Sequence, residues 1–194
     1  QDYQLAIDWY EKAATQGNTL AQYLLAQMHE YGRGVAQNYQ LAKTLYLKSS
    51  KNNYAPSAYK VAEFYEQGKG EPINLDEAII WYKRAASKGN TSAQYKLGQI
   101  YQNSTINKQN INAAISWYNS AASQDNAQSI YQLGTLYEYG IIDENGKFLL
   151  PENQSKAAGY YLRASQLDYD LAHARLAYFH EKGIVVPKDL QKAI

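Results

Sequence analysis

The apolar positions of this chain run at helical spacing, stop, and begin again. Ala78, Trp81, Tyr82, Ala85 and Ala86 stand at i, i+3, i+4, i+7 and i+8, a single stripe along one helix. The stripe recurs as Ala6, Trp9, Tyr10, Ala13, Ala14 and as Ala114, Trp117, Tyr118, Ala121, Ala122. It softens to Leu45, Tyr46, Ser49, Ser50 in one unit and to Tyr160, Tyr161, Ala164, Ser165 in another. This is helix A of a repeating unit. A few residues on, Tyr95, Leu97, Gly98, Ile100 and Tyr101 predict a helix B. Its small column reads Ala26, Ala62, Gly98, Gly134, Ala177, one residue after Leu25, Val61, Leu97, Leu133, Leu176. A methyl group or less at that crossing lets two helix axes approach closely.

Polar residues punctuate the stripes. Asp2, Asn38, Asn74, Asn110, Asn153 and Asp189 each precede an alanine by four positions, at intervals of 36, 36, 36, 43 and 36. Such side chains accept the free N–H groups of a helix start, so the ladder predicts six helix N-caps. Helix A leaves through Gly17, Asn53, Gly89, Asp125 or Asp168, residue types that tolerate the left-handed conformation. Gly32-Arg33-Gly34-Val35 and Gly68-Lys69-Gly70 close the first two units and lead on through Pro72, or its equivalent Pro187, to the next cap. A fixed period of this length means a solenoid. The expected fold is all-α, about five stacked antiparallel helix pairs at 2–37, 38–73, 74–109, 110–152 and 153–188, with the start of a sixth at 189–194. Neither end carries a polar capping repeat, which reads as a segment of a longer array.

Composition changes the picture mainly by exclusion. Charged residues are 19 % of the chain and the net charge is +1, so bulk electrostatics recruit neither nucleic acid nor an anionic membrane. No run of apolar residues approaches a membrane span. With no cysteine there is no disulfide framework and no thiolate metal site, and no cofactor is expected.

The motif Ala-x-x-Trp-Tyr-x-x-Ala-Ala-x-x-Gly, followed by Ala-x-Tyr-x-Leu-Gly-x-x-Tyr-x-x-Gly-x-Gly-Val, resembles the Sel-one-like repeat family, a branch of the tetratricopeptide-like solenoids. Ala6, Trp9, Tyr10, Gly17, Ala21, Tyr23, Leu25, Gly32, Gly34 and Val35 carry it in the first unit; Trp81, Tyr82, Gly89, Ala93, Tyr95, Leu97, Gly98 and Tyr101 carry it in the third. The resemblance implies a right-handed α/α superhelix with helices A on its concave side. It further implies a noncatalytic scaffold for a partner protein or extended peptide, in a bacterial periplasmic or secreted protein engaged in host interaction or cell-envelope regulation. A glycan- or peptidoglycan-binding module and an adaptor in degradation of misfolded secretory proteins are the alternatives.

Candidate contact residues follow from departures and from columns. Lys12, Lys48, Arg84 and Arg163 form a basic column on successive helices A, with Glu11, Leu47, Lys83, Asn119 and Leu162 beside it. Such a row suits an acidic or extended peptide. Tyr31 and Tyr139 share a column at the end of helix B; Tyr54 and Tyr169 share another, Tyr3 and Tyr39 a third. Exposed aromatics suit partner contacts. The Trp and Tyr stripe itself reads as core. The connection after Gly140 is seven residues longer than the others and carries Asp143, Glu144, Lys147 and Phe148, with Asn145-Gly146 predicting a small hairpin. Asp143 and Glu144 lack the alternation of a calcium loop and read as a solvated turn. His29 and His180 replace the tyrosine found at Tyr65, Tyr101 and Tyr137, and read as partly buried, satisfied side chains. In the third unit Ser104 and Ile106 replace the turn glycines, so that loop should differ in shape.

Overall fold

A computed structural model describes residues 2–104 and 107–184. Ile106, Pro187, Asp189, Ala193 and the start of the sixth unit lie outside the described residues. Among the described residues, helices A are α1 (Tyr3–Thr15), α3 (Tyr39–Lys51), α5 (Leu75–Ala86), α7 (Lys108–Ala122) and α9 (Gln154–Ser165). Helices B are α2 (Thr19–Tyr31), α4 (Ala55–Gln67), α6 (Thr91–Gln102), α8 (Ala127–Tyr139) and α10 (Asp170–Glu181). The chain divides into two compact units, Gln1–Ala93 and Gln94–Ile194. Within the first, α1 to α5 each pack on the next; within the second, α7 to α10 do the same. The fold is all-α, made of stacked adjacent helix pairs. The packing is uneven: α2 meets α3, α4 meets α5 and α8 meets α9 more extensively than each meets the helix before it.

The ladder of caps holds at Asp2, Asn38, Asn74 and Asn153, whose side-chain oxygens accept the N–H of Leu5, Leu41, Glu77 and Lys156. Each such cap contributes about 1 kcal/mol. Asn110 is the correction. α7 begins earlier, capped by Asn107, whose side chain accepts the N–H of Asn110 itself at 2.8 Å. Two asparagines three residues apart compete for one helix start, and the earlier one wins an extra turn. Helices B carry caps of their own, Asn18, Asn90 and Asn126. Where tyrosine takes that column, as at Tyr54 and Tyr169, the side-chain cap is lost. The ring packs instead, Tyr54 edge-on to Tyr23 at 5.3 Å and Tyr169 on Tyr131 at 5.3 Å.

All five residues of the helix A exit column adopt positive φ: Gly17, Asn53, Gly89, Asp125 and Asp168. A side chain there is strained, less so for Asn and Asp than for other types. Asn53→Gly and Asp168→Gly are each expected to stabilise the protein by about 0.5 kcal/mol, strain relief exceeding the added freedom of the unfolded chain. Asp125→Gly should gain less, because Asp125 also pairs with Arg163 at 2.9 Å. Urea denaturation of the three variants measures the ordering; a destabilised Asp168→Gly would contradict it.

The core is a column of tyrosines. Tyr46, Tyr82, Tyr118 and Tyr161 are fully buried, whereas the tryptophans one residue earlier are not. Trp81 and Trp117 are half-buried, and Trp9, on a helix packed against α2, is 61 % exposed. The i+4 position therefore sits at the centre of the stripe and i+3 at its edge, which corrects the reading of every tryptophan as core. Gly98 and Gly134 explain the small column: an added Cβ would lie 2.4 Å from the Tyr118 ring and 2.6 Å from the Tyr161 ring. In the softened second unit, buried Ser49 donates to the Thr19 carbonyl at 2.9 Å and accepts from Ser57 at 2.7 Å.

Each core phenol also finds an acceptor at the end of the preceding helix B. Tyr46 donates to Glu30 at 2.7 Å, Tyr82 to Glu66 at 2.7 Å, Tyr118 to Gln102 at 2.7 Å and Tyr161 to Glu138 at 2.6 Å. A buried phenol without a partner would cost about 1–3 kcal/mol, so this recurring bond lets tyrosine serve where phenylalanine would be expected.

The long connection is the predicted hairpin: β1 (Ile141–Ile142) pairs antiparallel with β2 (Phe148–Leu150). Leu150 is buried, and Gly146 takes a positive φ in the turn.

Candidate partner-binding surfaces

The basic column divides into two kinds of side chain. Arg84 donates to the Ser50 carbonyl at 3.2 Å, and Arg163 donates to the Ala122 carbonyl. Both carbonyls lie in the last turn of the preceding helix A, where unpaired acceptors and the negative dipole end favour a cation. Arg84 also lies over the Trp81 ring and Lys12 over Trp9, at 5.0 and 4.7 Å. Lys12 and Lys48 are exposed, as are Glu11, Lys83 and Asn119; Leu47 is half-buried and Leu162 is buried. The two arginines thus hold the stack together, and the lysines of the column face solvent.

Tyr31 and Tyr139 are exposed yet held. Tyr31 is 46 % and Tyr139 62 % exposed. Lys60 donates to the Tyr31 hydroxyl at 3.1 Å while reaching Glu63 at 2.9 Å and Glu30 at 3.6 Å. Arg175, in the same repeat column as Lys60, donates to the Tyr139 hydroxyl and grips Glu138, one bond being 2.8 Å long. Its guanidinium also stacks over Tyr178 at 4.7 Å. In both units the buried carboxylate that receives a core phenol also anchors the cation that fixes an exposed ring. The carboxylate column was absent from the sequence reading. Of the other tyrosines considered, Tyr54, Tyr169 and Tyr39 are half-buried in ring contacts, the last edge-on to Phe64, and Tyr3 is exposed.

In the hairpin, Asp143 turns its carboxylate inward on its own loop, accepting the N–H of Asn145 and of Lys147, each at 2.9 Å. Glu144 and Lys147 are exposed. Phe148 and its cross-strand partner Ile142 present an exposed apolar pair on one face. Lys108 donates to the Leu149 carbonyl and ties the hairpin to the start of α7, leaving a cleft of about 610 Å³ lined by Asn107, Lys108, Ile142, Asp143, Glu144, Asn145 and Leu149.

The histidines depart from expectation. His180 is exposed, and the Nδ1 of half-buried His29 is buried with no partner, so neither is the satisfied side chain predicted. Among the described residues no group of acidic or histidine side chains could hold a metal ion. No helix among them is long and apolar enough to cross a membrane.

The family model described as Sel1 repeat matches residues 1–18, 19–54, 55–90, 91–126, 127–169 and 170–194. Comparison with curated proteins found no match. Among solved structures, a Sel1 repeat protein from Oxalobacter formigenes is 28 % identical with a TM-score of 0.75, over 89 % of this chain and 48 % of that one. A protective antigen of uropathogenic Escherichia coli with the same fold is 24 % identical with a TM-score of 0.62, over 94 % of this chain and 45 % of its own. An immunity protein from Pseudomonas aeruginosa is 26 % identical with a TM-score of 0.56, over 89 % of this chain and 60 % of that one. The chain therefore spans less than two thirds of each of these proteins.

Proposed function

Because this chain belongs to the Sel1 repeat family, whose repeats build general scaffolds for protein–protein interaction, we propose that it docks a partner protein through pre-held aromatic anchors. The observation that carries the reading is the pair Tyr31 and Tyr139, exposed rings whose hydroxyls are fixed by Lys60 and Arg175. An aromatic side chain already immobilised loses little rotamer freedom on binding, which is the property of an interface hot spot. The exposed Ile142–Phe148 pair adds an apolar patch a few residues from Tyr139 in sequence. The scaffold works without catalysis in this proposal: the conspicuous carboxylates, Glu30 and Glu138, are occupied by phenols and cations. A periplasmic or secreted bacterial setting, in host interaction or envelope regulation, is part of the proposal; the solved relatives named above are bacterial proteins. Fractionation of the source cells tests that part.

A photo-crosslinking amino acid placed at Tyr31 or Tyr139 is expected to give discrete protein adducts in the native compartment. Arg175→Ala should reduce the yield at a crosslinker beside Tyr139, at Ile142, several-fold. Adducts no different from those obtained at the exposed control position Lys88 would defeat the proposal.

A further inference from the structure

Between α1 and α3, over the face of α2, lies a cavity of about 280 Å³ whose lining includes Glu11, Ala14, Gln22, His29, Leu45 and Lys48. It is roughly the volume of nine waters at about 30 Å³ each, enough for one large side chain. The other repeats explain why it is there. Leu45 stands in the column of Trp9, Trp81, Trp117 and Tyr160, and His29 stands in the column of Tyr65, Tyr101 and Tyr137. In the fourth and fifth repeats those same two columns supply Tyr137 and Tyr160, which stack face to face at 5.8 Å and 9°. The pair His29 and Leu45 thus replaces a stacked aromatic pair with two smaller side chains, and the space they leave is open.

The floor of this cavity is also short of a hydrogen-bond donor. Gln22 is 7 % exposed; its Nε2 donates to the Ala14 carbonyl at 3.2 Å, but its Oε1 is buried without a partner. Its repeat equivalent, Gln94, accepts from Gln124 at 2.8 Å. The residue in the Gln124 column here is Asn52, and it donates to Thr19 Oγ1 at 2.7 Å instead. His29 lines the same cavity, and its Nδ1 is likewise buried without a partner. An unmet buried acceptor is destabilising, and a donor arriving with a ligand would satisfy it after a small turn of the amide.

We infer that this cavity receives an aromatic side chain with a donor on its far edge, a tyrosine or tryptophan, from an extended segment of the partner protein. The ring occupies the place that Tyr160 fills beside Tyr137, and its O–H or N–H meets Gln22 or His29. Exposed Glu11 and Lys48 at the rim meet the flanking peptide backbone. The inference rests on the scaffold reading above and adds to it the chemistry of one contact.

The test uses N-acetyl-tyrosinamide, N-acetyl-tryptophanamide and N-acetyl-phenylalaninamide as probes, followed by nuclear magnetic resonance on the whole chain. Expected are saturable shifts centred on Gln22, His29 and Leu45, with the phenylalanine probe at least several-fold weaker. Leu45→Trp, which restores the column's own residue, should abolish the shifts while keeping Tm at or above the parent value. His29→Tyr should do the same and serves if the first variant folds poorly. Undiminished binding in a folded Leu45→Trp or His29→Tyr variant, or shifts centred elsewhere, overturns the inference. Absence of any saturable shift in the unsubstituted chain, with adducts at Tyr31 and Tyr139 obtained, fails this inference alone. Probe binding without any protein adduct at those tyrosines fails the scaffold reading instead.

Discussion

Raising the pH above 10 is expected to unfold this protein cooperatively. The phenols of Tyr46, Tyr82, Tyr118 and Tyr161 are all pushed up from the ordinary 10.0, first by burial. Hydrogen bonds to Glu30, Glu66 and Glu138 reinforce the shift for Tyr46, Tyr82 and Tyr161, and the neighbouring Tyr95 does so for Tyr118. In the unfolded chain the same groups ionise near 10. Above that pH the unfolded state has shed protons that the folded state keeps, so folding loses about 1.4 kcal/mol per pH unit for each such tyrosine. Four of them lose on the order of 5 kcal/mol per unit, against a typical total stability of about 5–15 kcal/mol. Phenolate absorbance and far-ultraviolet circular dichroism should therefore show a late phenolate step, that of the four core tyrosines, coinciding with helix loss. A single gradual phenolate titration with the helices intact two pH units above 10 would contradict this account.

Glu30→Ala is the second large effect, a destabilisation of about 3 kcal/mol or more. Glu30 is 1 % exposed, receives Tyr46 at 2.7 Å and Lys69 at 2.8 Å, and its removal leaves a buried phenol without an acceptor. Glu30→Gln should cost far less, about 1 kcal/mol, because the pair Gln102 and Tyr118 already uses an amide at this place. Burial pushes the Glu30 carboxyl up, but the hydrogen bonds from Lys69 and Tyr46 and the charges of Lys60 and Lys69 outweigh it and hold the group below its ordinary 4.5. The folded value lies below the unfolded one, so this stabilisation is present above about 4.5 and is lost as pH falls through the folded value. Glu30→Gln lacks that dependence. Urea midpoints of parent and Glu30→Gln, measured from pH 7 downward, should converge in acid. Equal stability of the Ala and Gln variants would show that the acceptor is unimportant.

The periodic features were the legible ones. Local patterns carry helix spacing, caps and exit residues, and the structure departs from them at Asn110, where Asn107 offered the same chemistry one turn earlier. The hairpin was legible because Asn145-Gly146 lies between short apolar pairs. The carboxylate column was not, although Glu30, Glu66, Gln102 and Glu138 recur with the repeat. A glutamate at the end of a helix reads as solvated and a tyrosine in a stripe reads as apolar, so neither announces the other across 16 residues. Arg84 and Arg163 read as a free polar row for the same reason, their carbonyl partners lying 34 and 41 residues earlier. The cavity at Leu45 and His29 required two departures in different repeats to be placed side by side, which only the packing of α3 on α2 does.

The bond from core phenol to preceding carboxylate also gives the array a reading frame. Pairs taken as helix A then helix B separate Tyr46 from Glu30, Tyr82 from Glu66 and Tyr161 from Glu138; pairs taken as helix B then helix A keep each bond inside one segment, as at 19–54, 55–90, 91–126 and 127–169. The more extensive packing of α2 on α3, α4 on α5 and α8 on α9 follows the same frame. The portable cassette is thus the B–A segment, with its own hydrogen-bonded latch. Shuffling, duplication or engineered insertion at the boundaries after Tyr54 or Asn90 would leave every latch closed, whereas joints made at Asn38 or Asn74 would require each new neighbour to supply an acceptor at the right place.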